Sequence, residues 1–192
     1  MIRAILRRLR GHRAVPTNRE FAEQLRGRRV LYAMGEHCAI SPYAMITDPK
    51  HVRLGNNVRL SECTILGHDG SVNMVNRLMH TKLDSVGSVT IGNNVFVGLG
   101  AIICQNTTIE DDVIIGAGAV VRGLIRGDGV YIGNPAVRVC SLDEHIGKLA
   151  LRNREMPWRR LIQQREGEFD AAMEPEMLRL RTKHWFGAGC EE

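Results

Sequence analysis

The feature of this sequence that most constrains its fold is an aliphatic residue that recurs every six positions. Between residues 91 and 121 this position is always β-branched, at Ile91, Val97, Ile103, Ile109, Ile115 and Val121. The same spacing joins Met34, Ile40 and Ile46, and then Leu54, Leu60 and Leu66. Twelve six-residue units therefore share one register, with a two-residue insertion near 47–53 and a long interruption near 67–90. A last unit, Ile132 to Ala136, is out of phase with the others.

A period of six excludes the common alternatives. It does not keep one face of a 3.6-residue helix, and an ordinary alternating strand would bury Asn93 beside Ile91 and Val95. We predict a mainly β fold, a left-handed parallel β-helix, in which three units form one coil and the aliphatic residues stack about 4.8 Å apart. The residue four places further on, such as Ala101 or Ala119, is small enough for a crowded corner. The Gly-Asn-Asn segments at 55–57 and 92–94 suit corners with positive φ.

Three regions follow from this pattern. Residues 1–30 form a basic helical arm, residues 31–140 the β-helix with an extruded loop at 67–90, and residues 141–192 a helical extension. We predict helices at 2–13, 17–29, 142–155, 158–166 and 173–184. Capping boxes, Thr17 with Glu20 and Ser141 with Glu144, start two of them. We expect the C-terminal helices to cover the open end of the solenoid.

The net charge of +5 comes from the arm, since residues 1–30 carry nine Arg against two Glu and the remainder is near neutral. A nucleic-acid-binding surface is therefore not expected. Residues 2–13 form an amphipathic pattern with two interpretations: contact with an anionic membrane surface, or packing on the first coil or a neighbouring subunit. Five Cys without a CxxC pair and no secretory signal favour a reducing, cytoplasmic location, and membrane contact would place the protein at the inner face.

The long interruption of the repeat is the loop that most directly indicates a function. It reads GHDGSVNMVNRLMHTKLDSVGS from Gly67 to Ser88, and so long a loop on a compact repeat is usually functional. His68 lies where the regular coil ends and the backbone is fixed. Such a His is suited to remove a proton from a hydroxyl or amine, the alternative being a solvated surface side chain.

The segments IGNNVFVGLGAIICQNTTIEDDVIIGAGAVV and YIGNPAVRV, together with GHDGS, resemble the hexapeptide-repeat acetyltransferases. The resemblance covers about residues 34–150 and is nearest to the O-acetyltransferases of surface-polysaccharide synthesis and to the galactoside, maltose and xenobiotic acetyltransferases. It implies transfer of an acetyl group from acetyl-CoA to a hydroxyl or amine of a sugar, by direct attack with His68 as general base. It further implies a homotrimer with active sites between subunits, and no metal.

The resemblance also assigns site residues. Asp69, or else Asp84, would orient His68, with Asp69 favoured. The coenzyme would lie along Gly98, Leu99, Gly100, Ala101, Gly116, Ala117, Gly118, Asn134 and Pro135, with its phosphates at Arg122, Arg126 or Arg138, because this chain lacks the Lys that the family often has nearby. The acceptor would contact Asp48, Asn73, Asn76, Arg77 and His80.

Three other functions are compatible with the sequence. One is an acetyltransferase acting on a xenobiotic such as an antibiotic. Another is a metal-dependent hydratase of the γ-carbonic anhydrase type, which needs three converging His, although residues 81–144 contain none. The third is a binding or scaffolding β-helix without catalysis, in which His68 has no chemical role.

Overall fold

The computed structural model describes residues 15–167 and 169–187, and the predicted helix at 2–13 lies outside this range. The chain divides into two compact units, one ending at Leu142 and the other beginning at Asp143. The first unit contains all the strands, and the second is helical.

Fifteen short strands build three sheets in the first unit, one for each side of the coil. In space the first sheet runs β1-β4-β7-β10-β13, the second β15-β14-β11-β8-β5-β2, and the third β12-β9-β6-β3. All pairs are parallel except β14 with β15. The strands are β1 Ala33–Met34, β2 Ala39–Ile40, β3 Met45–Ile46, β4 Val52–Leu54, β5 Arg59–Leu60, β6 Thr64–Ile65, β7 Val89–Ile91, β8 Val95–Val97, β9 Ile102–Ile103, β10 Thr107–Ile109, β11 Val113–Ile115, β12 Val120–Val121, β13 Leu124–Ile125, β14 Gly129–Ile132 and β15 Val137–Cys140.

This arrangement confirms the left-handed parallel β-helix predicted from the repeat. Residues six apart occupy successive sides, and residues one coil apart pair in register, as Ile91 pairs with Ile109. The aliphatic column forms the core, since Ile103, Ile115 and Val121 are each fully buried. Burying each such side chain contributes about 1.5–3 kcal/mol. The small residues four places on, Ala101 and Ala119 among them, are also fully buried.

One position of the predicted register, Leu66, is wrong. Ile65, not Leu66, occupies the axial column: it is fully buried and pairs with Ile46 and Ile103. The second coil is one residue shorter on this side, and Cys63 takes the corner position. At the last repeat the column residue is Tyr131, which pairs with Ile115, whereas Ile132 is 45% exposed.

In the two Gly-Asn-Asn corners, the asparagine and the glycine have different structural roles. Asn57 and Asn94 adopt the positive φ, at 54° and 53°, and the Asn57 Nδ2 donates to Asn94 Oδ1 across the coils at 2.9 Å. Gly55 is needed for close approach instead, because a Cβ there would lie 2.6 Å from the carbonyl oxygen of Gly92. The corner therefore combines a turn residue with a residue that lets coils stack.

Helix α1, Asn18–Gly27, packs on β2 at the start of the solenoid. Its capping box is as predicted: the Glu20 amide donates to Thr17 Oγ1 at 3.3 Å, and the Thr17 amide donates to Glu20 Oε2 at 2.7 Å. Ala22 is fully buried, and Phe21 and Leu25 pack against the same core. The helix thus covers the first coil.

Four further helices follow along the chain. Helix α2, Ser71–Met79, lies in the extruded loop and was not predicted. Helices α3 Leu142–Arg154, α4 Arg159–Gln164 and α5 Glu174–Phe186 agree with the three predicted C-terminal spans. Within the helical unit the Trp158 ring meets His184 edge-on at 5.4 Å. The capping box at Ser141 and the covering of the solenoid end stay predictions. Among the described residues, no helix has the length and apolarity needed to cross a membrane.

Candidate active site

The extruded loop begins and ends at one corner of the β-helix, where its two ends are hydrogen-bonded. The Gly87 amide donates to the Gly67 carbonyl at 2.8 Å, and the Asp69 amide donates to the Ser85 carbonyl at 2.9 Å. His68, between these two bonds, pairs with Val86 in an antiparallel bridge. The backbone of His68 is therefore held by the coil, although its side chain is 47% exposed.

His68 is hydrogen-bonded to a carboxylate of the preceding coil. Its Nδ1 lies 2.6 Å from Asp48 Oδ2. The same oxygen accepts from the Thr47 hydroxyl at 2.7 Å, and the Thr47 oxygen accepts from the Gly67 amide at 3.0 Å. One chain of bonds thus ties the carboxylate, the hydroxyl and the start of the loop together.

The electrostatics of this pair fix the tautomer of His68. The hydrogen bond from Thr47, and next that from His68, lower the pKa of Asp48 below its ordinary value. Asp48 is therefore a carboxylate at neutral pH, and a carboxylate can only accept. Nδ1 must then carry the hydrogen, and the lone pair is on Nε2. Among the described residues Nε2 has no hydrogen-bond partner.

Gly67 is what allows Asp48 to come so close. A Cβ at this position would lie 2.5 Å from Asp48 Cβ and 2.7 Å from Asp48 Oδ2. Both distances are far below van der Waals contact and involve the stem of a short side chain. The glycine before His68 is therefore explained by packing between two coils.

The two carboxylates expected to orient His68 have other roles in the structure. Asp69 Oδ1 accepts from the Ser71 amide at 2.9 Å, in the turn that leads into α2, and Asp84 Oδ1 accepts from the Ser85 amide at 2.9 Å. The carboxylate in contact with His68 is instead that of Asp48, for which the resemblance implied acceptor binding. The backbone bond to Ser71 is the main cause that lowers the pKa of Asp69, and the charge of Arg122 adds to it.

The predicted acceptor contacts in the loop fall into two groups. Asn76 is used within the loop: its Oδ1 accepts from the Leu83 amide at 2.7 Å, and its Nδ2 donates to the Leu83 carbonyl at 2.8 Å. The side chain of Asn76 therefore closes the loop, and its contact with an acceptor stays a prediction. Asn73, Arg77 and His80 are exposed on α2 or at its end.

The predicted coenzyme segments lie at one corner of successive coils. Gly100 and Gly118 have positive φ of 69°, which favours glycine. Gly98 is required by stacking, because a Cβ there would lie 2.6 Å from the Ala117 nitrogen. Ala101 is buried in the core, whereas Leu99 is exposed.

The three candidate arginines differ in their surroundings. Arg126 forms an ion pair with Glu110 at 3.1 Å, and Arg138 donates to the Asp128 carbonyl at 2.8 Å. Arg122 is exposed and its charge acts on Asp69 at the base of the loop. Asn134 and Pro135 are exposed in the turn between β14 and β15. In the part of the chain that the structure describes, no three His, Cys, Asp or Glu side chains are grouped as metal ligands would be.

Comparison with known proteins gives the same fold. Residues 88–123 match the family model described as bacterial transferase hexapeptide (six repeats). The chain is similar to protein CapG of Staphylococcus aureus, with 33% identity over 104 residues that cover 54% of this chain and 60% of CapG. It is also similar to the bifunctional protein GlmU of a Janthinobacterium species, with 31% identity over 112 residues that cover 52% of this chain and 23% of GlmU.

The fold of the chain is also similar to that of a solved structure. The hexapeptide-repeat containing acetyltransferase VCA0836 from Vibrio cholerae aligns with a TM-score of 0.52 and 18% identity, over 65% of this chain and 90% of that one. The chain spans less than two thirds of the length of the two curated relatives. These matches confirm the hexapeptide-repeat β-helix and the resemblance to hexapeptide-repeat acetyltransferases.

Proposed function

We propose that this protein transfers an acetyl group from acetyl-CoA to a hydroxyl or amine of a sugar, with His68 as the general base. The hydrogen-bonded pair of Asp48 and His68 carries this proposal. The pair joins an ionised carboxylate to an imidazole whose Nδ1 carries the hydrogen and whose Nε2 is available to act as a base. It lies at the base of a loop whose length is typical of functional loops. The resemblance to acetyltransferases supplies the reaction class, and the pair supplies the group that such a reaction needs.

The steps assigned to this chain are few. Nε2 of His68 takes the proton from the acceptor hydroxyl as its oxygen attacks the acetyl carbonyl. Asp48 stabilises the imidazolium that results, and Thr47 keeps the carboxylate in place. His68 then returns the proton to the departing sulfur of the coenzyme, so the base is regenerated and no acyl-enzyme forms.

The coil corner near Leu99 and Ala117 fits the coenzyme. These residues are eighteen apart and stack in neighbouring coils, as the bond from the Gly118 amide to the Leu99 carbonyl shows. Within the described residues, the amides of Leu99 and Ala117 have no hydrogen-bond partner. Two free N–H donors beside exposed backbone suit the amide groups of a pantetheine arm, and Arg122 is the cation we assign to a phosphate.

We also propose a homotrimer whose loop reaches a neighbouring subunit. Helix α2 has no fully buried residue, and Met74, Leu78 and Met79 are 60%, 68% and 63% exposed. An amphipathic helix whose apolar side is open to water in one chain gains stability when a second copy covers it.

The experiment combines binding and turnover. Calorimetry with acetyl-CoA on the wild type and on His68→Asn should give similar affinities, because His68 acts on the acceptor. Turnover with sugar acceptors should fall about 10²–10⁴-fold in His68→Asn, the usual loss of a general base. His37→Asn is the control, since that side chain is 84% exposed at another corner. No acetyl-CoA binding by the wild type would refute the transferase proposal, and undiminished turnover in His68→Asn would remove His68 from the mechanism.

A further inference from the structure

We propose that the acceptor carries a phosphate or diphosphate group, which binds a basic cluster beside the active site. The cluster comprises Arg29, Lys50, His51 and Arg53, all of them exposed. That the anion belongs to an acetyl acceptor rests on the proposed function, but the anion site itself is independent of the acetyl transfer.

The cluster is assembled by the insertion that also holds Asp48. The short 3₁₀ turn Pro49–His51 follows Asp48 directly, and the His51 amide donates to the Asp48 carbonyl at 2.9 Å. The ammonium of Lys50 donates to the Arg29 carbonyl at 2.5 Å, which brings the end of α1 to the turn. Arg53 points outward from β4, where its neighbours in the sheet are Ala33 and Thr90.

Among the described residues, the four basic side chains of this cluster have no ion-pair partner, and the charge of Asp48 acts on His51 only at longer range. The nearest acid along the chain, Asp48, is bonded to Thr47 and His68. Like charges held together without a counter-ion are unfavourable, and an anion of the ligand removes that cost.

The donors match a phosphate in number and kind. Lys50 has two N–H bonds left after the one to Arg29, and Arg53 presents a planar fork that bonds phosphate in a bidentate manner. The ring of Tyr32 is 74% exposed beside them, and its amide donates to the Pro49 and Val52 carbonyls. An exposed aromatic face next to cations suits the sugar or base attached to the phosphate.

The position of the cluster favours a group on the acceptor over a membrane surface. A 3₁₀ turn rises about 2 Å per residue, so the backbone of His51 lies within about 6 Å of the backbone of Asp48 along the axis of the turn. The charge of His51 is in fact close enough to help lower the pKa of Asp48, after the larger effects of Thr47 and His68. An anion on Lys50 and His51 therefore binds to the turn that directly follows the catalytic carboxylate.

The test measures binding of inorganic diphosphate and of UDP-glucose by calorimetry, without acetyl-CoA. The double variant Lys50→Gln/Arg53→Gln should weaken both ligands by about ten-fold for each charge-assisted hydrogen bond that it removes. The control Lys148→Gln/Lys183→Gln removes the same charge from exposed positions of the helical unit and should bind like the wild type. Vesicles of phosphatidylglycerol and phosphatidylcholine are tested in parallel by sedimentation.

Each outcome decides the proposal. Loss of diphosphate binding in the cluster variant alone supports it. No diphosphate or UDP-glucose binding by the wild type, or equal weakening in the control, overturns it. Vesicle binding that depends on the cluster, without diphosphate binding, assigns the cluster to a lipid surface and also overturns it. Because these binding measurements contain no acetyl-CoA, their result can be interpreted even if the transferase proposal is refuted.

Discussion

Replacing Asp48 by Asn tests the catalytic pair most directly. The amide has the shape of the carboxylate, so its packing against Gly67 is unchanged while the charge beside His68 is lost. Thr47 Oγ1 and His68 Nδ1 both bond to the same oxygen, Oδ2. The size of the effect depends on which end of the amide takes that place.

Both placements of the amide reduce turnover. If the amide oxygen takes the place of Oδ2, both hydrogen bonds survive, but the imidazolium loses its counter-charge, and we expect about a 10²-fold lower kcat. If the amide nitrogen takes that place, it donates to Nδ1, the hydrogen moves to Nε2 and the base is lost, which costs about 10⁴-fold. We therefore predict a fall in kcat of about 10²–10⁴-fold with unchanged acetyl-CoA affinity.

The assay is steady-state release of coenzyme thiol at saturating acetyl-CoA, with thermal unfolding to confirm the fold. Asp69→Asn is the comparison, because its Oδ1 accepts from the Ser71 amide and an amide oxygen accepts as well. We expect it to lose much less activity than Asp48→Asn. A kcat near the wild-type value in Asp48→Asn, or a larger loss in Asp69→Asn, would refute the assignment of Asp48.

Three further predictions concern the fold that holds the site. Gly67→Ala places a Cβ within 2.5 Å of Asp48, so it should lower the free energy of unfolding in urea by about 1–3 kcal/mol and should also reduce activity. Unchanged stability and activity would show that the two coils can move apart at little cost. Ile115→Ala, at a fully buried position, should cost about 2–5 kcal/mol, whereas the outward neighbour change Ile114→Ala should cost clearly less; equal losses would contradict the axial column. Hydrogen bonds from the backbone and side chain of Asn93 lower the pKa of Asp111. Its stabilisation is therefore complete above the unfolded pKa, about 4, and is lost as pH falls through the folded value. Asp111→Asn should therefore flatten the loss of Tm below about pH 4, and a slope like that of the wild type would exclude this origin.

The fold was predictable because its core depends on local periodicity. Each aliphatic residue stacks on one a coil away, so a six-residue repeat specifies both the strands and their register. The error at Leu66 arose where a coil is shortened, since a missing residue moves the column without changing the composition. Helix α2 does have a signal in the sequence, because Val72, Val75 and Met79 recur at helical spacing.

Only one member of the catalytic pair could be predicted from the sequence, because its two residues come from different coils. His68 stands at the end of a regular coil and could be located from the repeat alone. Its partner, Asp48, is twenty residues earlier in an irregular insertion, and the contact arises from the stacking of two coils. Proximity in sequence pointed to Asp69, but coil stacking determines which side chains meet.

The repeat itself explains why the functional groups gather where they do. Axial positions must be aliphatic and corner positions small, so a regular coil places ionisable side chains only at its outward positions. The two interruptions escape this constraint, and both open at the same corner in consecutive coils. One supplies Asp48 together with Lys50, His51 and Arg53 of the basic cluster, and the other supplies His68 together with α2. The proton transfer on this fold therefore depends on where the repeat is broken, and substitutions at the axial positions of the regular coils should change stability before they change catalysis.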